Sequence, residues 1–507
     1  MPRPTVPVPV PLGELLLPPG RIVGDPATAV TGMTMASASV RPGDLFAAVP
    51  GAVVHGARYA RDAVAAGAVA VFTDEAGLAE VPEGTPVLLG TDVRNDVGRI
   101  ASRVYGDPSE RLTVLGVTGT SGKTTTTYLL EAGLRAAGRT TGLIGTTGTH
   151  IGDEKLEAAF TTPEAPELQA LFAVMLERGV TDVAMEVSSH ALALGRVNGT
   201  SFDVGGFTNL SEDHLDFHGD MGRYYEAKRR LLEIARSRVV VLDDESGWAH
   251  QLLEDLGGGM TTVSRGPNHG NWYVSGGVQA QPDGSTRFVV RRRASLLGMQ
   301  SDMIEAGCAI PGEYNADNVL LALAMLDEAG VELTSEVVSA IATATVPGRM
   351  EPVHAGQDYL AVVDYSHKPA AVDGALRALR PLTKGRLIIV LGCGGDRDRG
   401  KRPHMGDIAA RGADLLIVTD DNPRTEDPAA IRRAMLDGAL AVPAAERGEV
   451  MEIGDRAAAI TAAVGAAGFG DTVLVAGKGH ETGQEIAGVV HPFDDRVVLR
   501  AAIEARA

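Results

Sequence analysis

Cysteine is nearly absent from this 507-residue chain: only Cys308 and Cys393 occur. Two thiols so far apart supply neither a disulfide framework nor a zinc cluster. Aromatic residues are scarce at 4%, and the 44% apolar fraction is ordinary for a globular protein. No apolar run is long enough to span a bilayer, and the proline-rich stretch from Met1 to Leu12 lacks the apolar core of a signal peptide. A soluble, cytoplasmic protein without membrane insertion is expected. Positive charge is also in deficit, with a formal net charge of −19. That balance argues against a general nucleic-acid or anionic-membrane surface, so an anionic substrate must be held by local basic residues.

The length is too great for one core, and three domains are expected. Val97, Ile100 and Val104 mark one face of a helix that stops near Gly106-Asp107-Pro108. Before it, Gly43–Val49 and Ala68–Phe72 read as strands around a helix. A second boundary falls near Val346-Pro347-Gly348, after a helical stretch starting around Asn318. The predicted domains are therefore 1–108, 109–346 and 347–507. In the last, strand-like runs at Leu360–Val363, Leu387–Leu391, Leu415–Val418 and Thr472–Val475 alternate with helical segments. This pattern predicts an α/β protein with parallel sheets covered on both faces. Ligands in such sheets bind at the carboxyl ends of strands, where nearly every polar cluster of this chain lies.

The most informative segment runs from Gly116 to Thr125, Gly-Val-Thr-Gly-Thr-Ser-Gly-Lys-Thr-Thr. It follows a strand-like run, Leu112–Val117, and precedes Leu130, Leu134 and Ala137 on one helix face. Glycines let backbone N–H groups close around an anion. The helix N-terminus and Lys123 add positive charge, and the Thr124 hydroxyl suits a magnesium ion. The strict P-loop spacing wants glycine where Val117 stands, so the loop is a variant with Gly116 and Gly119 on either side. Candidate nucleotide contacts are Gly116, Thr118, Gly119, Thr120, Ser121, Gly122, Lys123, Thr124 and Thr125. Glu186, ending the run Thr181–Met185, is placed like the acidic residue that completes a nucleotide-bound magnesium site. His214 and His218 could share a helix face as zinc ligands do, but no HExxH glutamate or third ligand accompanies them. A role beside magnesium is the better expectation.

Taken together, the P-loop, Glu186-Val187-Ser188-Ser189-His190, Asp213-His214-Leu215-Asp216 and Gly312-Glu313-Tyr314-Asn315-Ala316-Asp317-Asn318 resemble the Mur ligases, over essentially the whole chain. The resemblance implies a three-domain architecture: an N-terminal UDP-substrate domain, a central P-loop ATPase-like domain with a mostly parallel sheet, and a Rossmann-like C-terminal domain for the amino acid. It implies an ATP-dependent ligase of peptidoglycan precursor synthesis, most like the member that adds diaminopimelate to UDP-N-acetylmuramoyl-L-alanyl-D-glutamate. A monomer is expected. Lys123, Thr124, Glu186 and His214 match phosphate and magnesium positions. Asn315 and Asn318 match positions near adenine, and Arg349 and Asp364 match nucleotide contacts of the last domain. In the motif following Asp364, Ser366 and Lys368 replace the usual alanine and threonine.

Lys228 by residue type alone is a solvated helix lysine. The resemblance makes it a lysine carbamylated by CO2, whose new anion holds a second magnesium. Ser37, Thr161, Thr162, Ser188 and Arg196 match the UDP-substrate positions, while Leu194 replaces a common glutamine. The usual Asp-Ser-Arg reads Ala36-Ser37-Ala38, so only Ser37 carries over. Asp421, Asn422, Pro423 and Arg424 match the diaminopimelate motif, joined by Arg397, Gly477 and Glu481. An arginine can pair bidentately with the carboxylate that distinguishes diaminopimelate from lysine; the meso and LL forms both remain open. Competing expectations are a folylpolyglutamate or cyanophycin ligase, a P-loop switch or motor, and a non-catalytic precursor-binding relative.

Overall fold

The computed structural model describes residues 2–51, 53–156, 160–242, 247–266, 270–281, 283–293 and 303–506. The chain divides into two compact units, Met1–Tyr273 with Arg292–Gln300 and Leu320–Ala340, and Val274–Arg291 with Ser301–Val319 and Ile341–Ala507. No helix among the described residues is long and apolar enough to cross a membrane.

Besides the short pair Val10–Pro11 with Ala29–Val30, the described residues of the first unit form two larger sheets. The smaller runs in the order Arg21–Val23, Val87–Leu89, Ala70–Thr73, Asp44–Ala47, Gly32–Thr34, parallel except at its first edge strand. Short runs such as Ala-Val-Phe-Thr are buried on both faces, which continuous apolar strands require. Helix Val93–Val104 closes one face, placing Val97, Ile100 and Val104 in a core with Leu45, Phe72 and Leu88. Asp92 starts this helix by accepting from the Asn95 N–H at 3.3 Å. In the larger sheet the strands Thr141–Gly145, Asp182–Glu186, Thr113–Thr118, Val204–Phe207, Ser237–Val241 and Thr261–Ser264 lie side by side in that order, all parallel. Gly148–Ile151 and Glu154–Leu156 extend its edge antiparallel.

The second unit carries a sheet ordered Glu351–Pro352, Leu360–Asp364, Thr472–Ala476, Leu387–Leu391, Leu415–Val418, Glu449–Glu452. All neighbours are parallel except the first pair. The four strands expected from sequence are present. Two further edge strands, Glu351–Pro352 and Glu449–Glu452, lack a long apolar run. Helices Lys401–Gly412 and Pro428–Ala441 approach through glycine: a Cβ at Gly406 would lie 1.9 Å from Met435 O, and one at Gly438 2.0 Å from Pro403 O.

Gly438→Ala is therefore expected to destabilise the protein by about 1–3 kcal/mol through overpacking. Gly465→Ala, in the helix Arg456–Ala466 with nothing within 4 Å of the new Cβ, should instead stabilise it by about 0.5–1 kcal/mol. Urea midpoints for the two variants check the contrast; equal shifts would sink it.

Candidate functional site

In the first unit the strand Thr113–Thr118 ends in a loop, and helix Lys123–Ala136 begins at Gly122. Gly119 and Gly122 have φ of 145° and 87°, values that L side chains rarely adopt. Gly119 also presses against Thr208, whose Oγ1 would lie 1.8 Å from an added Cβ. Gly116 is instead inside the strand, packed against Phe202, so its small size serves packing there.

Residues 208–211 hold the loop open. Thr208 Oγ1 donates to Ser121 O at 2.6 Å, Ser121 N–H donates to Asn209 Oδ1 at 3.0 Å, and Thr120 N–H donates to Asn209 O at 2.9 Å. The Thr120 hydroxyl lies 3.1 Å from the Tyr224 hydroxyl. Lys123 Nζ donates to the Gly119 and Thr120 carbonyls at 2.9 and 2.8 Å.

Glu186, 1% exposed at the end of its strand, faces this helix. Its Oε1 accepts from Thr124 Oγ1 at 3.0 Å and from the Thr146 N–H at 2.8 Å. Thr146 Oγ1 donates to Glu186 Oε2 at 3.2 Å and lies 3.1 Å from Thr161 Oγ1. Thr162 Oγ1 donates to Glu186 O at 2.9 Å and accepts from the Ser188 N–H at 3.2 Å. Arg196 Nη1 donates to Thr162 O at 3.2 Å. The fold thus brings Thr124, Glu186, Thr161, Thr162, Ser188 and Arg196 into one network. Thr146, Thr208, Asn209 and Tyr224 are its supports, and residue type alone does not single them out.

Lys228 is not solvated. It stands on helix Met221–Ile234 but is 1% exposed. Its Nζ donates to Gly119 O at 2.5 Å and lies 4.6 Å above the Tyr224 ring. Burial, with the Lys123 charge adding to it, drives its pKa well below the ordinary 10.5, against a smaller opposing pull from Asp213. His214 takes a left-handed backbone (φ 55°) before the short helix Leu215–His218, and its ring meets His190 at 4.7 Å. His218 lies 3.0 Å from Ser189 Oγ through Nε2, so the two histidines do not form a pair on one long helix face. No cluster of three or more His, Cys, Asp or Glu able to hold a metal occurs among the described residues. Ser37 opens a turn, Ser37–Ser39, at the edge of the smaller sheet.

In the second unit, Asn315 and Asn318 are buried and bonded, Asn318 Nδ2 to Asn315 Oδ1 at 2.9 Å. The Asp364 carboxylate accepts from Met350 N–H at 2.8 Å and Ser366 N–H at 3.0 Å. The Ser366 hydroxyl also bonds Asp364 and donates to Ala371 O at 3.1 Å, so serine adds support at this position. Arg349 stacks over Tyr365 at 4.4 Å, and Tyr365 lies 5.0 Å from the His480 ring. Burial raises the Tyr365 pKa, and its neighbouring charges are Glu481, Arg349, Asp421 and Arg397. This tyrosine was not among the residues expected from sequence, yet it sits between two groups that were.

Beside it, Asn422 Nδ2 donates to Glu481 Oε2 at 2.8 Å. The buried Lys478 donates to Asn422 Oδ1 at 2.9 Å and Glu481 Oε2 at 3.1 Å. Gly477 is required: its φ is 115°, and a Cβ there would meet Asp421 Oδ2 at 2.5 Å. Pro423 O lies 2.0 Å from where a Gly395 Cβ would stand, and Arg424 Nη1 donates to Gly395 O at 2.6 Å. Arg397 is exposed at the mouth of the same strand ends. Beneath them the fully buried Arg456 and Asp495 form two 2.7 Å bonds, and Arg456 Nη2 also donates to Ala476 O at 2.9 Å.

Three stretches of the chain match described families: residues 29–102 the catalytic domain of the Mur ligase family, 117–326 the Mur ligase middle domain, and 348–479 the Mur ligase glutamate ligase domain. The chain belongs to the Mur ligase family. It is 50% identical over 505 residues to UDP-N-acetylmuramoyl-L-alanyl-D-glutamate–2,6-diaminopimelate ligase of Streptomyces avermitilis, covering 99% of this chain and 98% of that one. It is 42% identical to the UDP-N-acetylmuramyl-tripeptide synthetase of Leifsonia xyli subsp. xyli, covering 99% and 98%. A solved UDP-N-acetylmuramoyl-L-alanyl-D-glutamate–2,6-diaminopimelate ligase aligns with this Mur ligase at TM-score 0.71 and 32% identity, over 98% of this chain and 99% of that one.

The sign of the Lys228 shift gives a test. Folding expels a proton from unmodified Lys228 at pH values below its unfolded pKa near 10.5. Stability contributed at this position must therefore rise as pH rises toward that value. In CO2-free buffer, the stability of wild type relative to Lys228→Met is expected to climb between neutral and alkaline pH. A difference that stays flat across that range would contradict a neutral buried amine.

Proposed function

We propose that the chain is an ATP-dependent ligase that joins diaminopimelate to the D-glutamyl carboxylate of UDP-N-acetylmuramoyl-L-alanyl-D-glutamate in the cytoplasm. The observation that carries this reading is the whole-length 50% identity to a ligase of that name, with the Asp421–Arg424 segment and Glu481 gathered at the strand ends of the second unit. A division of labour among 1–108, 109–346 and 347–507 goes with it, holding the UDP substrate, ATP and the amino acid respectively.

A carboxylate is a poor electrophile and must be activated before an amine can attack it. The γ-phosphoryl of ATP is transferred to the D-glutamyl carboxylate, giving an acyl phosphate. The amine of diaminopimelate attacks the acyl carbon, and the tetrahedral intermediate collapses with loss of inorganic phosphate. The first step crowds anionic oxygens together, so cations fixed in advance do most of the work. The phosphates are cradled by the loop and the helix N-terminus at residues 122–125, the Thr120 and Ser121 N–H groups being held by Asn209, and Lys123 and Thr124 approach their oxygens. Asn315, Asn318, Arg349 and Asp364 are the nucleotide residues of the second unit.

The donor set fits magnesium: Thr124 Oγ1 and the Glu186 carboxylate are hard oxygen ligands 3.0 Å apart, and His214 is the further residue assigned to it. Magnesium supplies charge neutralisation of the transferring phosphoryl group. Lys228 fits carbamylation, because burial favours its uncharged form, and only the neutral amine attacks CO2. The resulting carbamate adds a further anionic oxygen ligand, and its charge is balanced by nearby Lys123. Ser37, Thr161, Thr162, Ser188 and Arg196 bind the UDP substrate. At the acceptor end, Glu481 takes an ammonium group, Arg424 and Arg397 take carboxylates, and Asp421, Asn422, Pro423 and Gly477 shape the site.

Phosphate release with ATP, magnesium and the UDP-muramoyl dipeptide tests the reading, comparing meso-diaminopimelate, LL-diaminopimelate and L-lysine with product mass in parallel. Ligated product with a diaminopimelate isomer but not lysine is expected. Turnover with folate and none with the muramoyl substrate would overturn it, as would ATP hydrolysis indifferent to any acceptor. Carbamylation is read separately: 13C-labelled bicarbonate should give a carbamate resonance in wild type that Lys228→Ala lacks. The same variant should lose about 10²–10³ in turnover.

A further inference from the structure

We propose that Arg94 is a diphosphate-binding residue for the nucleotide-sugar substrate, forming with Arg196 a pair of guanidinium forks around the anion. The proposal rests on the functional reading above. A chain of net charge −19 must recruit an anionic substrate with cations placed locally. Among Ser37, Thr161, Thr162, Ser188 and Arg196 there is a single cation, and the segment Ala36-Ser37-Ala38 supplies none. A nucleoside diphosphate carries its charge on several oxygens, and one guanidinium neutralises only part of it.

Arg94 lies between the segments that need it. It occupies the second residue of helix Val93–Val104, with its side chain 28% exposed. Its Nη1 is 3.9 Å from the sulfur of Met35, the residue directly before Ala36-Ser37. Its Nη2 is 3.2 Å from Glu164 Oε2, directly after Thr161-Thr162-Pro163. The other oxygen of Glu164 lies 2.8 Å from Arg196 Nε, and Arg196 also reaches Thr162 O. One carboxylate thus holds two guanidinium groups at the point where the Ser37 turn and the Thr161–Thr162 segment come together.

The guanidinium donors outnumber the acceptors that Glu164 offers them. Each guanidinium offers about five N–H donors in a planar fork, while one carboxylate has about four acceptor sites. Arg94 Nε is buried and has no hydrogen-bond partner. Like-charged forks drawn together by one carboxylate suit a second, multi-oxygen anion, and diphosphate matches their bidentate geometry.

The test uses the full-length enzyme as wild type, Arg94→Ala and Arg94→Lys. Arg94→Ala should raise KM for the UDP-muramoyl dipeptide by about tenfold or more, with kcat and the KM values for ATP and diaminopimelate moved less than about twofold. Inhibition by UDP should weaken in parallel while inhibition by uridine stays unchanged, and Arg94→Lys should recover part of the loss. Raising ionic strength should weaken wild type more than Arg94→Ala. An unchanged KM for the UDP substrate would overturn the proposal. So would a loss shared by uridine and ATP, which marks a general structural defect. If wild type turned over no muramoyl substrate, the functional reading would fail alone. Calorimetry with UDP would still decide Arg94, since binding by wild type that Arg94→Ala loses supports the assignment and equal binding refutes it.

Discussion

Two lysines converge on one carbonyl oxygen, and much of the first unit's chemistry follows from that. Lys123 and Lys228 both donate to Gly119 O. Two ammonium charges at such a short range, one of them wholly buried, repel each other with little water to screen them. Burial is the larger reason that the Lys228 pKa is depressed, and the Lys123 charge adds to it. The same carbonyl is available only because Gly119 adopts a left-handed backbone conformation against Thr208. A side chain at position 119 would push the loop off its support and separate the lysines. The glycine, the loop shape and the depressed lysine pKa are therefore one constraint seen at three levels.

The second unit solves a different electrostatic problem. Its candidate acceptor site collects Asp421, Glu481 and Glu485 near the ends of parallel strands, where like charges would repel. Lys478, wholly buried, neutralises the Glu481 side, and Arg424 pairs with Glu485 at 3.3 Å. Beneath them Arg456 is locked to Asp495 and to the Ala476 carbonyl. A charge buried so completely is tolerable only with its partner in place, because losing either partner leaves an uncompensated ion. This pair ties the strand Thr472–Ala476 to the C-terminal helix Asp495–Arg506 and holds the Gly477–Glu481 turn in position.

The five-stranded sheet and the larger sheet of the first unit meet closely. Gly98 lies so close to Asn198 that an added Cβ would sit 2.0 Å from its carbonyl oxygen, and Asn198 Nδ2 donates to Asn95 O at 3.1 Å. That close seam carries the N-terminal end of helix Val93–Val104 up to the Glu164 and Arg196 side chains. Arg94 on the smaller sheet's helix thereby pairs with Glu164, which the larger sheet's helix carries at its start.

What the sequence determined by itself was whatever is carried by local pattern. Apolar runs such as Leu387–Leu391 and Leu415–Val418 specify buried parallel strands, and the glycines and Lys123 after Thr118 specify an anion-binding turn. Polar clusters after strands mark candidate sites because chain direction and sheet type are both local. The short edge strands Glu351–Pro352 and Glu449–Glu452 escaped notice, having too few apolar residues to leave a pattern. Gly116 looked like part of the loop, but pairing register puts it inside the strand against Phe202. Only the tertiary structure decided the state of Lys228, since a helix lysine looks the same in sequence whether it faces water or a loop 109 residues away. It likewise decided the bonds of Thr146 to Glu186 and of Arg456 to Asp495, and the placing of Arg94 beside Glu164. Burial and pairing depend on which distant segments pack together, and no local pattern encodes that.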